Sequence, residues 1–160
     1  VVLHVRDAEG EQLLRTSYPE YYEAYRSLRT GVERSDFLRY LAIHRYGGVY
    51  ADVDVVPIMP IGRWTATFGW RQRIPNLMIV GVEDTRPLGF LQFVFASVPR
   101  HPILRAMAQE ISERVRSVAS SHRFSVLQRT GPRAWSDVIL RYIREYARPA
   151  VEPNLTIDEG

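Results

Sequence analysis

The chain contains no cysteine and no lysine. Without cysteine, disulfides and thiolate metal sites are both excluded. Without lysine, all 21 basic residues are arginine, which a compositional bias explains without special chemistry. The arginines never run together, so the charge pattern gives no nucleic-acid footprint. No apolar run approaches the ~18–20 residues of a membrane-spanning helix. The first residues, VVLHVRD, carry no signal-peptide pattern and no initiating methionine. No internal repeat or low-complexity segment is present. What remains is 160 residues, 46% hydrophobic and 24% charged, enough for one globular domain with a real core. Net charge is +3 and the pI about 9.4. Forked guanidinium groups in such a chain suit phosphate oxygens.

The stretch around which the chain is organised is Ser35 to Pro60, SDFLRYLAIHRYGGVYADVDVVPIMP. Ser35 is a candidate helix N-cap. Phe37, Leu38, Leu41 and Ala42 fall at helical spacing as an apolar stripe. Asp36, Arg39, Tyr40 and Ile43 share another face. Gly47-Gly48 ends the helix, because a residue past a helix end often needs positive φ. Val49 to Val56 then has strand composition. Alternation puts Tyr50, Asp52 and Asp54 on one face of that strand.

Aspartate is depleted in strands, so two on one face require a reason. Side chains two apart on a strand lie roughly 6.5–7 Å apart along it. Buried and unpaired, such charges cost several kcal/mol. A hard divalent cation, Mn²⁺ or Mg²⁺, removes that cost and keeps positions for water or phosphate. The plain alternative is that both are solvated loop residues after a strand ending near Val53. Asp36 and Arg39 have their own plain alternative, a surface salt bridge at i, i+3 that is worth little.

The run S-D-F-L-R-Y … H-R-Y-G-G-V-Y-A-D-V-D resembles the sugar-binding region of the D-x-D glycosyltransferases, family 32. The likeness rests on an Asp and an Arg one helical turn apart, a Tyr-Gly-Gly-Val-Tyr turn, and Asp-Val-Asp beginning sixteen residues after Asp36. It extends over roughly Tyr18 to Tyr146, including Pro60 to Trp64, VGVE at Val80–Glu83, Ser97-x-Pro99-x-His101-Pro102-Ile103-Leu104, and Thr130-Gly131-Pro132. Within the family, the fungal initiation-specific α-1,6-mannosyltransferases resemble it most. The resemblance implies a Rossmann-like glycosyltransferase A fold, incomplete at both ends. A nucleotide-binding strand is expected before this chain, and a further strand with a His-containing loop after it. It also implies a metal shell of Asp54 and Asp52, a donor-sugar site of Asp36, Arg39, Tyr50 and Gly48, and configuration-retaining transfer. No second carboxylate stands as an obvious nucleophile.

The remaining elements fit an α/β chain. Val1–Val5 reads as a short strand and Asp7–Gln12 as a polar loop. Leu13–Arg29 reads as helix, with Pro19 in a first turn and tyrosines that pack. Thr30–Arg34 reads as a connector and Thr65–Pro75 as irregular. Leu77–Val82 reads as a buried strand, with Glu83-Asp84 after it as loop charges. Ile103, Met107, Ile111 and Val115 form a core stripe in a helix opened by Pro102. His101 reads as a structural hydrogen-bonder. Ala119–Phe124 is a linker. Val138, Ile139, Tyr142, Ile143 and Tyr146 form the buried face of a last helix. Residues 1–147 are expected to form one domain and 148–160 a mobile tail. Strands interleaved with helices predict a mostly parallel sheet sandwiched by helices, with the aspartates at its carboxyl edge.

Three functions follow as expectations. The first is a glycosyltransferase using GDP-mannose and a glycan or glycolipid acceptor in the Golgi lumen, anchored through a segment outside this chain and without nucleic-acid partners. The second is a non-catalytic sugar- or nucleotide-binding remnant of that fold. The third is a metal-dependent phosphohydrolase using the same aspartates.

Overall fold

The computed structural model describes residues 7–64, 77–85, 87–117 and 124–146. The expected strand at Val1–Val5, the irregular stretch at 65–75, most of the linker and the tail lie outside the described residues. Six helices are described: α1 (Asp7–Ser17), α2 (Pro19–Arg26), α3 (Gly31–Tyr46), α4 (Pro102–Arg116), α5 (Val126–Arg129) and α6 (Pro132–Tyr146). Three strands, β1 (Gly48–Ala51), β2 (Met78–Thr85) and β3 (Leu88–Ser97), form one sheet of order β1-β3-β2.

Both strand pairs are antiparallel, where a mostly parallel sheet was expected. The reason is local. β2 ends at Thr85 and β3 begins at Leu88, and so short a connection permits only antiparallel pairing. The sheet is also irregular. Val80 pairs with Phe95 and Val82 with Phe90, so β3 advances five residues while β2 advances two. Such a bulge bends the strand and re-aims its side chains. It shifts the inward phase of β3, so that Phe90 and Gln92 are buried, Phe93 is exposed, and Phe95 and Ser97 are buried again. Carbonyls in the bulged stretch take partners beyond β2. Leu91 O accepts from Trp135 Nε1 at 3.0 Å, and Phe93 O from the Asp52 N–H at 2.8 Å.

α3 is the central helix. Phe37, Tyr40 and Leu41 are almost wholly buried, and Asp36, Leu38, Arg39 and Ile43 are buried beside them. It begins five residues earlier than Ser35 predicts. Thr30 is the N-cap, accepting from the Glu33 N–H at 3.2 Å, and Glu33 reaches back to the Thr30 N–H at 3.1 Å. This reciprocal box satisfies two first-turn donors. The supposed connector Thr30–Arg34 is therefore the cap and first turn of α3, and Ser35 lies inside the helix. At the other end, Gly47 has φ +66°, and its N–H returns to Ile43 O at 2.8 Å. A Cβ there would meet Pro99 Cδ at 2.7 Å.

The helices pack on α3 and on the sheet through aromatic rings. Tyr21 and Tyr25 of α2 face Phe37 with centroids 6.1 and 6.4 Å apart. Tyr40, Phe95 and Trp135 join α3, β3 and α6, with Trp135 5.2 Å from Tyr40 and 5.1 Å from Phe95. The tyrosines thus pack, as expected. In α4, Ile103, Met107 and Ile111 are buried and Val115 lies against the core.

Other expectations change. Asp7–Gln12 belongs to α1, whose Leu13 and Leu14 are buried; the chain breaks at Tyr18, and Pro19 opens α2 as predicted. The buried face of α6 is Ala134, Trp135, Val138 and Ile139, whereas Ile143 and Tyr146 are exposed. β2 is only half-buried, and Glu83 and Asp84 lie on it, exposed, instead of after it. Pro60 to Arg63 is exposed, with a 3-10 turn at Ile61–Arg63, and only Trp64 is half-buried.

Candidate active site

Arg39 stands at the centre of the candidate site. It is carried by α3 and is buried, with its side chain 8% exposed. Nη2 lies 2.9 Å from Asp36 Oδ1, one helical turn back. Nη1 lies 3.5 Å from Asp52 Oδ1 and 3.4 Å from the Gln92 carbonyl in the bulged part of β3. The guanidinium lies 4.5 Å from the Tyr50 ring centroid, within cation–π range. Its Nε is buried with no partner among the described residues. The Asp36–Arg39 pair is therefore no surface salt bridge. One guanidinium joins a helix carboxylate, a strand-end carboxylate, a bulge carbonyl and an aromatic face.

Burial pushes the Asp36 carboxyl above the usual carboxylate range, while Arg39 and the Thr130 hydroxyl pull against that. Thr130 Oγ1 donates to Asp36 Oδ2 at 2.7 Å. The loop carrying Thr130 is held in turn by core side chains. Its carbonyl accepts from Tyr40 Oη and Gln92 Nε2, both at 3.0 Å, and Gln92 Nε2 also donates to Tyr40 Oη. A second buried pair sits one turn earlier, Glu33 with Arg129 of α5 at 2.5 Å. Burial by itself would raise Glu33, but the Arg129 contact and the cap N–H groups hold it below the ordinary carboxylate value.

β1 delivers the D-x-D pair. It is four residues long, shorter than the predicted Val49–Val56, and Asp52 to Val56 form the turn and loop beyond it. Asp52 is half-buried and Asp54 exposed. Tyr50 Oη donates to Asp52 Oδ1 at 2.5 Å. Burial and that hydrogen bond push the Tyr50 phenol far above its usual range, so it stays a donor at any physiological pH. Gly48 opens β1 opposite Ser97 with φ +99°, and among the described residues no atom beyond its two chain neighbours lies within 4 Å of a Cβ built there. The structure thus brings Asp36, Arg39, Tyr50 and Asp52 together, with Asp54 on the exposed turn beyond them.

Two carboxylates two residues apart suit a hard cation. Among the described residues, no hydrogen bond or ion pair engages Asp52 Oδ2 or the Asp54 carboxylate, so both keep oxygens for a metal. No group of three or more acidic or histidine side chains clusters among the described residues. A metal there would complete its shell with water and substrate oxygens.

Thr130, Gln92 and the Glu33–Arg129 pair went unnamed as site residues in the sequence. The Thr-x-x-Glu signature could have found Glu33. His101 proves structural, with Nδ1 accepting from the Ile103 N–H at 3.3 Å at the head of α4. A groove of about 490 Å³ between α4 and α6 lies apart from the site, with Arg105, Glu110, Arg141 and Tyr142 among its walls.

Residues 5–74 match the model of a family described as a glycosyltransferase sugar-binding region containing a DXD motif. The chain is 30% identical over 157 residues to an initiation-specific alpha-1,6-mannosyltransferase of Schizosaccharomyces pombe, covering 88% of this chain and 39% of that one. It is 31% identical over 161 residues to the putative glycosyltransferase HOC1 of Saccharomyces cerevisiae, covering 88% and 40%. The chain thus spans about two fifths of the length of these relatives. Its fold matches that of the PaToxG glycosyltransferase with a TM-score of 0.56 at 19% identity, over 89% of this chain and 45% of that chain. The small antiparallel sheet and its helices thereby share the α/β fold of that glycosyltransferase, and residues 5–74 are similar to the DXD-containing sugar-binding region that the family model describes.

Proposed function

We propose that this chain forms the donor site of a metal-dependent, retaining glycosyltransferase that moves a hexose, mannose from GDP-mannose, onto a glycan or glycolipid acceptor. The observation that carries this reading is the buried guanidinium of Arg39 held between Asp36 and Asp52. A buried pair by itself adds little stability, and often less than an apolar replacement. Function accounts for three charges and an aromatic face converging there.

Asp52 and Asp54 would hold Mn²⁺ or Mg²⁺. A cation so bound supplies neutralising charge for the departing nucleoside diphosphate. The other roles belong to the chain itself. Each oxygen of a carboxylate can accept twice. Asp36 therefore keeps an acceptor position on each oxygen for sugar hydroxyls, beyond its bonds to Arg39 and Thr130. Arg39 donates to sugar or phosphate oxygens from a fixed position. Tyr50, permanently protonated, orients Asp52 and offers its ring edge to the donor. The mannose assignment rests on the Schizosaccharomyces pombe relative's name and the sequence resemblance, and the Golgi lumen on the resemblance alone. Among the described residues no helix is long and apolar enough to cross a membrane.

The test is GDP release from GDP-mannose with Mn²⁺, with and without a mannoside acceptor. Release stimulated by the acceptor supports transfer. Release of phosphate or free mannose, indifferent to acceptor, would favour the phosphohydrolase. No turnover by well-folded protein that still binds donor would favour a binding remnant.

A further inference from the structure

We infer that Thr130, in the loop between α5 and α6, is a positioning residue that sets the donor-sugar carboxylate Asp36 from the far side; the inference rests on the donor-site reading above. Asp36 is 3% exposed and has one oxygen on each of two partners. Arg39 takes Oδ1 at 2.9 Å and the Thr130 hydroxyl takes Oδ2 at 2.7 Å. That hydroxyl has a second acceptor within reach, Val126 O at 3.5 Å. The shorter bond to a charged oxygen wins, because charge-assisted bonds are roughly twice as strong as neutral ones. Thr130 is itself wholly buried. Its carbonyl is clamped by Tyr40 Oη and Gln92 Nε2 at 3.0 Å each, so the hydroxyl approaches Asp36 from a fixed backbone. The carboxylate plane is thus defined at both oxygens before a sugar arrives, and so is the guanidinium that Asp36 holds toward Asp52.

Thr130→Val keeps the volume and the backbone carbonyl and removes only the donor. The account predicts that it weakens nucleotide-sugar binding about tenfold or more, as loss of one hydrogen bond to a charged group implies. Binding of the matching nucleoside diphosphate changes less than about twofold, since the carboxylate faces the sugar alone. Thr130→Ser restores the wild-type ratio of the two affinities. In an Asp36→Asn background, Thr130→Val has no further effect on nucleotide-sugar binding, because the two groups act as one unit. Equal weakening of both ligands, or full additivity with Asp36→Asn, would assign Thr130 a merely structural part and overturn the inference. A wild-type chain that binds nucleotide-sugar while Thr130→Val keeps the same affinity ratio overturns this inference alone. A folded wild type that binds neither ligand overturns the donor-site reading and this inference with it.

Discussion

At the scale of the residue, the decisive fact is a guanidinium with 8% exposure between two carboxylates. Removing its charge strands Asp36 in an apolar setting, and breaking a buried pair on one side typically costs about 3–5 kcal/mol. Arg39→Met should therefore lower the urea midpoint far more than Arg15→Met. Arg15 pairs with Glu11 at 3.8 Å with both side chains well exposed, and such pairs contribute about 0–1 kcal/mol. The double variant Asp36→Asn, Arg39→Met should recover part of the loss, as the only carboxylate then left without its arginine is the half-exposed Asp52. Equal midpoints for Arg39→Met and Arg15→Met would mean that Arg39 is not buried in solution. At this scale the sequence grouped Asp36, Arg39, Tyr50, Asp52 and Asp54 as candidates, because they lie within nineteen positions in a motif, and the structure brings the first four into contact. The contact of Thr130 with Asp36 was not legible. It spans 94 positions, and neither local spacing nor periodicity records such a contact.

At the scale of the element, two adjacent glycines separate conformation from space. Gly47 and Gly48 both have positive φ, but only Gly47 presses on Pro99, its built Cβ 2.7 Å from Cδ. Gly48→Ala should cost about 1–2 kcal/mol from the backbone alone. Gly47→Ala should cost more, since Pro99 must also move, and chemical denaturation of the two variants will rank them. The reverse ranking would contradict the packing of the α3–β1 turn on the connection between β3 and α4. Thr30→Ala should remove a cap worth about 1 kcal/mol, whereas Ser35→Ala should leave stability nearly unchanged. The glycine stop was plain in the sequence because positive φ is a local demand. The helix start was misplaced because two hydroxyl residues precede the apolar stripe, and only Thr30 has a glutamate three positions on. The strand end was overshot because Val55 and Val56 continue the β-branched composition after backbone pairing has stopped.

At the scale of the whole molecule, titration and topology matter most. Glu33 and Glu110 are held below their ordinary value of 4.5, in each case by arginine partners that outweigh burial. A carboxylate depressed in the folded state contributes stability above the unfolded value and loses it as pH falls through the folded one. His44 is depressed below 6.5, by burial first and then by Arg105 and Arg100; it too is stabilising while neutral and loses that contribution as pH falls below 6.5. Asp36 is raised and acts with the opposite sign, its contribution full below its ordinary value of 3.8 and lost as pH rises through the folded value. Stability should therefore fall from near pH 6.5 downward and more steeply below 4.5, with Glu33→Gln flattening the lower limb; a pH-independent midpoint from 7 to 3 would contradict these assignments. The α/β class was legible from alternating strand and helix composition. The antiparallel order was not, because it depends on a bulge and a short β2–β3 connection that composition does not encode. The central claim is a metal-assisted donor site on Asp52 and Asp54, beside the Asp36–Arg39 pair. It is tested most directly by calorimetric titration of GDP-mannose, with UDP-glucose as comparator, with and without Mn²⁺, on wild type and Asp54→Ala. The account predicts Mn²⁺-dependent binding, preference for GDP-mannose, and loss in the variant. Absence of binding by a well-folded wild type, or binding indifferent to both Mn²⁺ and Asp54, would contradict it.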